Sequence, residues 1–148
     1  MKNILLLCLC TALFCGSKAQ QSNDSTAIRA ILEKEAATWR SGDAKAHAAC
    51  WQVQPYSRIL VSLADGGTFD VPPIAMTDTT PHKMGNGGAA VMSNFKLSIS
   101  GNSAWASHDE TSTDKDGNKT YSYEIRMLEK IKGEWKLVGQ SIHLYHQK

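Results

Sequence analysis

Hydrophobic and polar positions follow two different periods along the chain. Ile28, Ile31, Leu32, Glu35 and Trp39 recur at helical spacing, with capping oxygens from Asn23-Asp24-Ser25 before them and Gly42 as a C-terminal cap after them. Asp43 starts a second, shorter, alanine-rich helix through about Cys50, and Pro55 ends that run. Alternation then takes over. Ser57 to Val71 reads as a hairpin with Ile59, Val61 and Leu63 on one face. Pro72-Pro73 breaks the pattern, and the stretch to Gly88 predicts a short helix and a Gly-rich loop from Met84 to Gly88. Four strands are predicted beyond it, at about 91–100, 103–114, 119–131 and 134–146. Gly101-Asn102, Asp116-Gly117 and Lys132-Gly133 link them as two-residue turns. Helices first and an antiparallel meander last make an α+β chain.

Turns of that length set the register, and register sets the faces, because side chains alternate with period two. The first turn pairs Ile99 with Ala104, and so Phe95 with His108. The second pairs His108 with Ile125 and Glu110 with Tyr123. The third pairs Ile125 with Gln140 and Met127 with Val138. One face then collects Phe95, Leu97, Ile99, Ala104, Ala106, Tyr123, Ile125, Met127, Val138, Ile142 and Leu144. The helices are expected on that face. The opposite face takes Lys96, Ser98, Asp109, Glu124, Arg126 and His143, where Asp109, Glu124 and Arg126 would form a surface charge network. Trp105, Leu128, Trp135 and Leu137 share this outer face, and such an apolar patch predicts a homodimer packed through it.

Polar residues on the apolar face are the candidates for chemistry. His108, Glu110, Gln140 and the Tyr123 hydroxyl fall close together in this register, and buried polar groups need partners or a wet cavity. His108 is the strongest acid–base candidate, with Glu110 placed to orient it. Glu35 stands on the apolar face of the first helix, where a carboxylate needs a partner or water. Trp51, Tyr56 and Tyr123 could supply aromatic walls for an apolar ligand.

The capped amphipathic helix, Ser41-Gly42-Asp43 opening a second helix, and the closing YEIRMLEKIKGEWKLVGQSIH together resemble the nuclear-transport-factor-2-like superfamily. Ketosteroid isomerase, the SnoaL-like cyclases and limonene epoxide hydrolase are members. The resemblance covers roughly residues 24–146. It implies a cone-shaped domain, with a curved antiparallel sheet wrapped on N-terminal helices and a pocket at one end. Some members are enzymes and others bind ligands only. The isomerase carboxylates fall near Ile59 and Ile125 here, its helix-one tyrosine near Glu35, and the epoxide-hydrolase carboxylate near Gln140. A pocket is therefore implied, and the known chemistries are not.

Residues 1–19 read as an export signal: Lys2, an apolar run from Ile4 to Phe14, and Ser17-Lys18-Ala19 before the cleavage point. The run falls short of the roughly 20 apolar residues that span a membrane. A lipid anchor on Cys15 is the alternative, disfavoured by bulky Phe14. Cleavage removes Cys8, Cys10 and Cys15, leaving Cys50 without a disulfide partner. It also removes Lys2 and Lys18 from the 16 basic residues, so the mature domain, residues 20–148, balances its 14 acidic ones. That balance, with no basic cluster, argues against nucleic acid or a membrane surface as the main partner. No metal-ligand set is legible, because His47 and Cys50 have no companions and His143 and His146 point to opposite faces. No nucleophile or phosphate-loop motif is present.

The leading expectation is an exported domain, periplasmic or extracellular, that binds a small, partly apolar molecule without a cofactor. The alternatives are a lyase, isomerase or hydrolase of the same fold using His108 with Glu110 or Glu35, and a structural dimer with a vestigial pocket.

Overall fold

The computed structural model describes the backbone of residues 2–80 and 84–147, and the side chains of residues 21–80 and 84–147. The side chains of the expected export signal lie outside the described residues. Helix α1 runs Lys2–Ser41 and passes straight through Asn23-Asp24-Ser25, so these residues are helix interior rather than a cap. Asp24 is instead buried, accepting hydrogen bonds from Lys130 Nζ at 2.5 Å and Trp135 Nε1 at 3.0 Å. Gly42, at φ +74°, ends α1 in the left-handed region. Asp43 then caps α2 (Ala44–Ala48), its Oδ1 accepting the Ala46 N–H at 2.9 Å.

The strands are β1 (Ile59–Ser62), β2 (Thr68–Val71), β3 (Ala89–Ser100), β4 (Ser103–Thr113), β5 (Lys119–Ile131) and β6 (Glu134–Tyr145), with a 3₁₀ turn at Pro73–Thr77. Among the described residues they form one sheet in the order β2-β1-β6-β5-β4-β3. β1 pairs parallel to β6 and every other neighbour pairs antiparallel, so the α+β class is as expected with a mixed rather than purely antiparallel sheet. The helices cover one face. Ile28 and Leu32 of α1 pack there with Ala106, Leu128, Trp135 and Leu137 to make the dry part of the core.

The register departs from expectation at one turn, with large consequences. Asp116-Gly117 does not form a two-residue turn. β4 and β5 stop pairing at Thr113 and Lys119, leaving a five-residue loop. Asp114 organises it: its Oδ1 accepts the N–H of Asp116 at 2.9 Å and of Asn118 at 2.8 Å. The pairing slips by one residue, so that His108 faces Glu124 and Glu110 faces Ser122. Every side chain of β5 therefore changes face. Ser122, Glu124, Arg126 and Leu128 are buried, whereas Tyr123, Ile125 and Met127 are 53%, 45% and 39% exposed.

The Lys132-Gly133 turn forms as expected, with φ of +52° and +88°, and it pairs Leu128 with Leu137. A β-bulge at Met127/Leu128 then shifts the pairing so that Arg126, not Ile125, faces Gln140. A second bulge at Asn94–Phe95, with Asn94 at φ +50°, sits opposite His108. Leu128, Trp135 and Leu137 are thus interior, not members of an outer patch. The outer face keeps Trp105 at 48% exposure and gains Tyr123, Ile125 and Met127.

The face assignment is directly testable. Leu128→Ala should cost about 2–5 kcal/mol of unfolding free energy, and Ile125→Ala less than about 1 kcal/mol. Denaturant titrations ranking the two in the opposite order would restore the other register.

Candidate functional site

The slip that inverts β5 creates a charged interior beside the dry core. Arg126 is 5% exposed. Its guanidinium donates to Glu124 and to the Gln140 side-chain oxygen, and Nη1 stands 3.6 Å from Glu35 Oε2. Three elements converge on this one cation: α1 through Glu35, β5 through Glu124, and β6 through Gln140.

Glu35 reaches the interior because it continues the Ile28–Leu32 stripe of α1 at the next helical spacing. The sharp turn at Gly42 folds α2 back, and His47 Nε2 meets Glu35 Oε1 at 3.0 Å. His47 is 2% exposed, with Trp39 and Trp51 rings 5.4 and 6.3 Å from its own. On the other side, Arg40 in the last turn of α1 binds Glu110 Oε1 at 2.5 Å and Ser112 Oγ at 2.6 Å, and Ser112 itself donates to Glu110 Oε1 at 2.9 Å. His108 lies behind these carboxylates. Its Nε2 is 3.4 Å from Glu124 Oε2 and 4.0 Å from Glu110 Oε2.

Electrostatics keep the acids charged. Burial alone would raise the Glu124 carboxyl, but Arg126, helped by His108 and Ser122, outweighs it and brings the pKa down to about 2. Burial likewise works to raise Glu35, and Arg126 and His47 hold it below its ordinary range. Desolvation should weaken the Arg126 charge, yet Glu35, Glu124 and Glu110 push its pKa up. Cys50 is different: burial raises its thiol, so it is no ready thiolate nucleophile.

A cavity of about 410 Å³ opens between α1 and the sheet. Ile59, Val61, Val71, Met76, Ile142 and Leu144 supply its apolar side, and Glu35, Arg40, His47, Glu110, Glu124 and Arg126 its charged side. Gln140 also lines it.

Of the residues singled out in the sequence, Glu35, Glu110 and Gln140 meet at this cavity. His108 is buried but backs the carboxylates instead of lining the cavity. Tyr123, through the register slip, points to the outer face and stacks on Tyr145 at 4.4 Å. Tyr56 is 64% exposed, its hydroxyl donating to Glu129 Oε1 at 2.5 Å. Trp51 is a core residue bridged to Leu137, not a cavity wall. Glu124 and Arg126, expected on the surface, are instead the centre of the site. His47 and Arg40 carry no sequence signature for this role. The Asp114-x-Asp116-Gly117-Asn118 pattern, read as an Asx-type loop, is the signal that would have placed Glu124 and Arg126 inside.

One further grouping emerges. His108, Glu110 and Glu124 each bring a ligand-type atom within 4.8 Å of the others, although no motif joins them in the sequence.

No family model matches the chain, and no curated protein does. Solved structures are similar in fold. An NTF2-like protein with a cystatin-like fold from Novosphingobium aromaticivorans superposes with a TM-score of 0.67 over 90% of this chain and 89% of its own, at 16% identity. An NTF2-like protein of unknown function from Shewanella baltica gives 0.64 over 85% and 97%, at 19% identity. A putative calcium/calmodulin-dependent kinase II association domain from Exiguobacterium sibiricum gives 0.60 over 84% and 95%, at 9% identity. The chain therefore has the NTF2-like, cystatin-like fold.

Glu35 generates a pH prediction. Its folded pKa is depressed, so the stability it contributes is present above its ordinary value near 4.5 and drains away as pH falls below that. Thermal melts should show the wild-type midpoint falling on acidification, with a flatter response and a lower starting point in Glu35→Gln. Equal acid slopes in the two proteins would show that Glu35 is not held ionised.

Proposed function

We propose that this chain is an exported small-molecule-binding domain whose ligand occupies the cavity between α1 and the sheet. The observation that carries the reading is the two-sided lining: aliphatic β1, β2 and β6 side chains on one side, and ionised Glu35, Glu124 and Arg126 on the other. Such a lining suits a small ligand with an apolar body and a hydrogen-bonding head, oriented by few polar groups. A structural dimer with a vestigial pocket would have no use for so many desolvated charges, which are costly to bury.

A second reading is favoured by one geometry. Glu35 and His47, 3.0 Å apart at the cavity wall, form a carboxylate–imidazole pair. Ionised Glu35 would orient the His47 ring, with His47 carrying the proton in a lyase, isomerase or hydrolase step. In this reading His47 takes the part expected of His108.

Native mass spectrometry of the chain purified from its source compartment tests both. The binding reading expects a discrete small-molecule adduct, absent from Ile142→Trp, in which the indole fills the cavity. Consumption of the eluted molecule by wild type, and not by His47→Gln that still carries it, selects the enzyme. An adduct that persists in Ile142→Trp rejects this cavity as the site.

We also propose that a second copy of the chain covers the outer sheet face. Support comes from the exposed run of Trp105, Tyr123, Ile125 and Met127 and from fold neighbours described as association domains. Sedimentation equilibrium should give a dimer that Ile125→Lys converts to monomer. A wild-type monomer at all concentrations ends the proposal.

A further inference from the structure

We propose that His108, Glu110 and Glu124 form a binding site for a divalent cation of the zinc class, with a coordination position open toward the cavity. His108 is 3% exposed, and neither ring nitrogen has a hydrogen-bond partner; Glu110 Oε2, on a residue 5% exposed, has none either. Leaving such groups empty in an interior is costly, and several in one place call for a common occupant.

Spacing identifies the occupant. His108 Nε2 and Glu124 Oε2 are 3.4 Å apart, beyond an ordinary hydrogen bond. Nitrogen and oxygen donors bound to zinc at about 2.0–2.2 Å in a tetrahedron stand about 3.4 Å from one another. A water hydrogen-bonded to both at about 2.8 Å would hold them about 4.6 Å apart. The separation from His108 Nε2 to Glu110 Oε2, 4.0 Å, also lies within the span a single cation can bridge. One imidazole and two carboxylates make a three-ligand set of the kind that leaves a fourth position free.

The surroundings fit an outer shell. Glu110 Oε1 is held by Arg40 and Ser112, which leaves Oε2 for the cation. Ser122 donates to Glu124 Oε1 at 2.8 Å, and Glu124 Oε2, the oxygen 3.4 Å from His108 Nε2, would be shared between the cation and the Arg126 guanidinium. Carboxylates that ligate a metal are usually fixed by such partners. Charge is compatible as well. Three buried acidic side chains, Glu35, Glu110 and Glu124, face the two guanidiniums of Arg40 and Arg126. Because Glu110 and Glu124 also line the cavity, the free position faces it and would take an oxygen donor or a water. The inference stands whether or not an organic ligand binds, since it is tested with the metal alone.

The experiment uses the chain as processed and purified from its source compartment, stripped with a chelator and titrated with Zn²⁺ against a chromophoric competitor, and separately with Co²⁺ followed by visible absorption. One equivalent should bind, and the cobalt form should show the intense d–d bands of low-coordinate geometry. Glu110→Gln and His108→Asn should each weaken binding by about 100-fold or more and lose those bands. His143→Asn, in an exposed histidine on the outer face, should change neither. Zn²⁺ should raise the melting temperature of wild type and not of Glu110→Gln, which keeps the test valid if the variant is less stable. Binding at less than one equivalent, binding unaffected by both ligand variants, or binding lost in His143→Asn would overturn the site.

Discussion

The interior of this domain is organised around one guanidinium. Arg126 sits where a hydrophobic residue would complete the core, and a buried charge is tolerated only when surrounding groups satisfy it. Glu35, Glu124 and Gln140 surround its two terminal nitrogens from three separate elements. The position of α1 on the sheet is therefore set electrostatically at one end and by aliphatic packing at the other. Ile28 and Leu32 seat the helix on Leu128, Trp135 and Leu137, and Asp24 ties it to Lys130 and Trp135. Removing the cation would leave carboxylates facing each other in a desolvated space, so the cavity and the fold share the same keystone.

The two ends of the sheet have different tasks. Near the Lys132-Gly133 turn the inner face is apolar and closed. Toward the Asp114 loop it is polar and hollow. The Met127/Leu128 bulge marks the change, since it turns Gln140 onto Arg126 after Leu137 has already packed into the core. Bulges re-aim side chains in this way without interrupting a strand. Here one extra residue in β6 separates the part that stabilises from the part that has room for chemistry.

Much of the architecture was legible in the amino-acid sequence. The α1 stripe, the Gly42-Asp43 junction, the adjacency of the last four strands and two of the three meander turns follow from periodicity and turn chemistry, whereas the parallel pairing of β1 with β6 does not. Glu35, Glu110 and the burial of His108 could be read because α1 and β4 present the expected faces, and Gln140 because the second half of β6, beyond the bulge, does so too. Glu124 and Arg126 could not, and the cause is physical. In β5 the two alternating sets, Ser122-Glu124-Arg126-Leu128 and Tyr123-Ile125-Met127, compete for the interior, and hydrophobicity favours the wrong one. The interior ion pairs reverse that preference, and pairwise ion contacts between distant segments leave no local trace. His47 was hidden for the same reason, because its partner lies on another helix.

The five-residue loop from Asp114 to Asn118 carries a consequence for how such a domain could diverge. Strand parity makes loop length a discrete control over what the cavity is made of. Deleting a single residue there, with both flanking strands intact, would rotate β5 by one position. Tyr123, Ile125 and Met127 would then face the cavity in place of the Glu124–Arg126 ion pair. Between homologous domains, a shift from a charged site to a greasy one therefore requires no substitution in the site itself, only an indel some distance away at the rim.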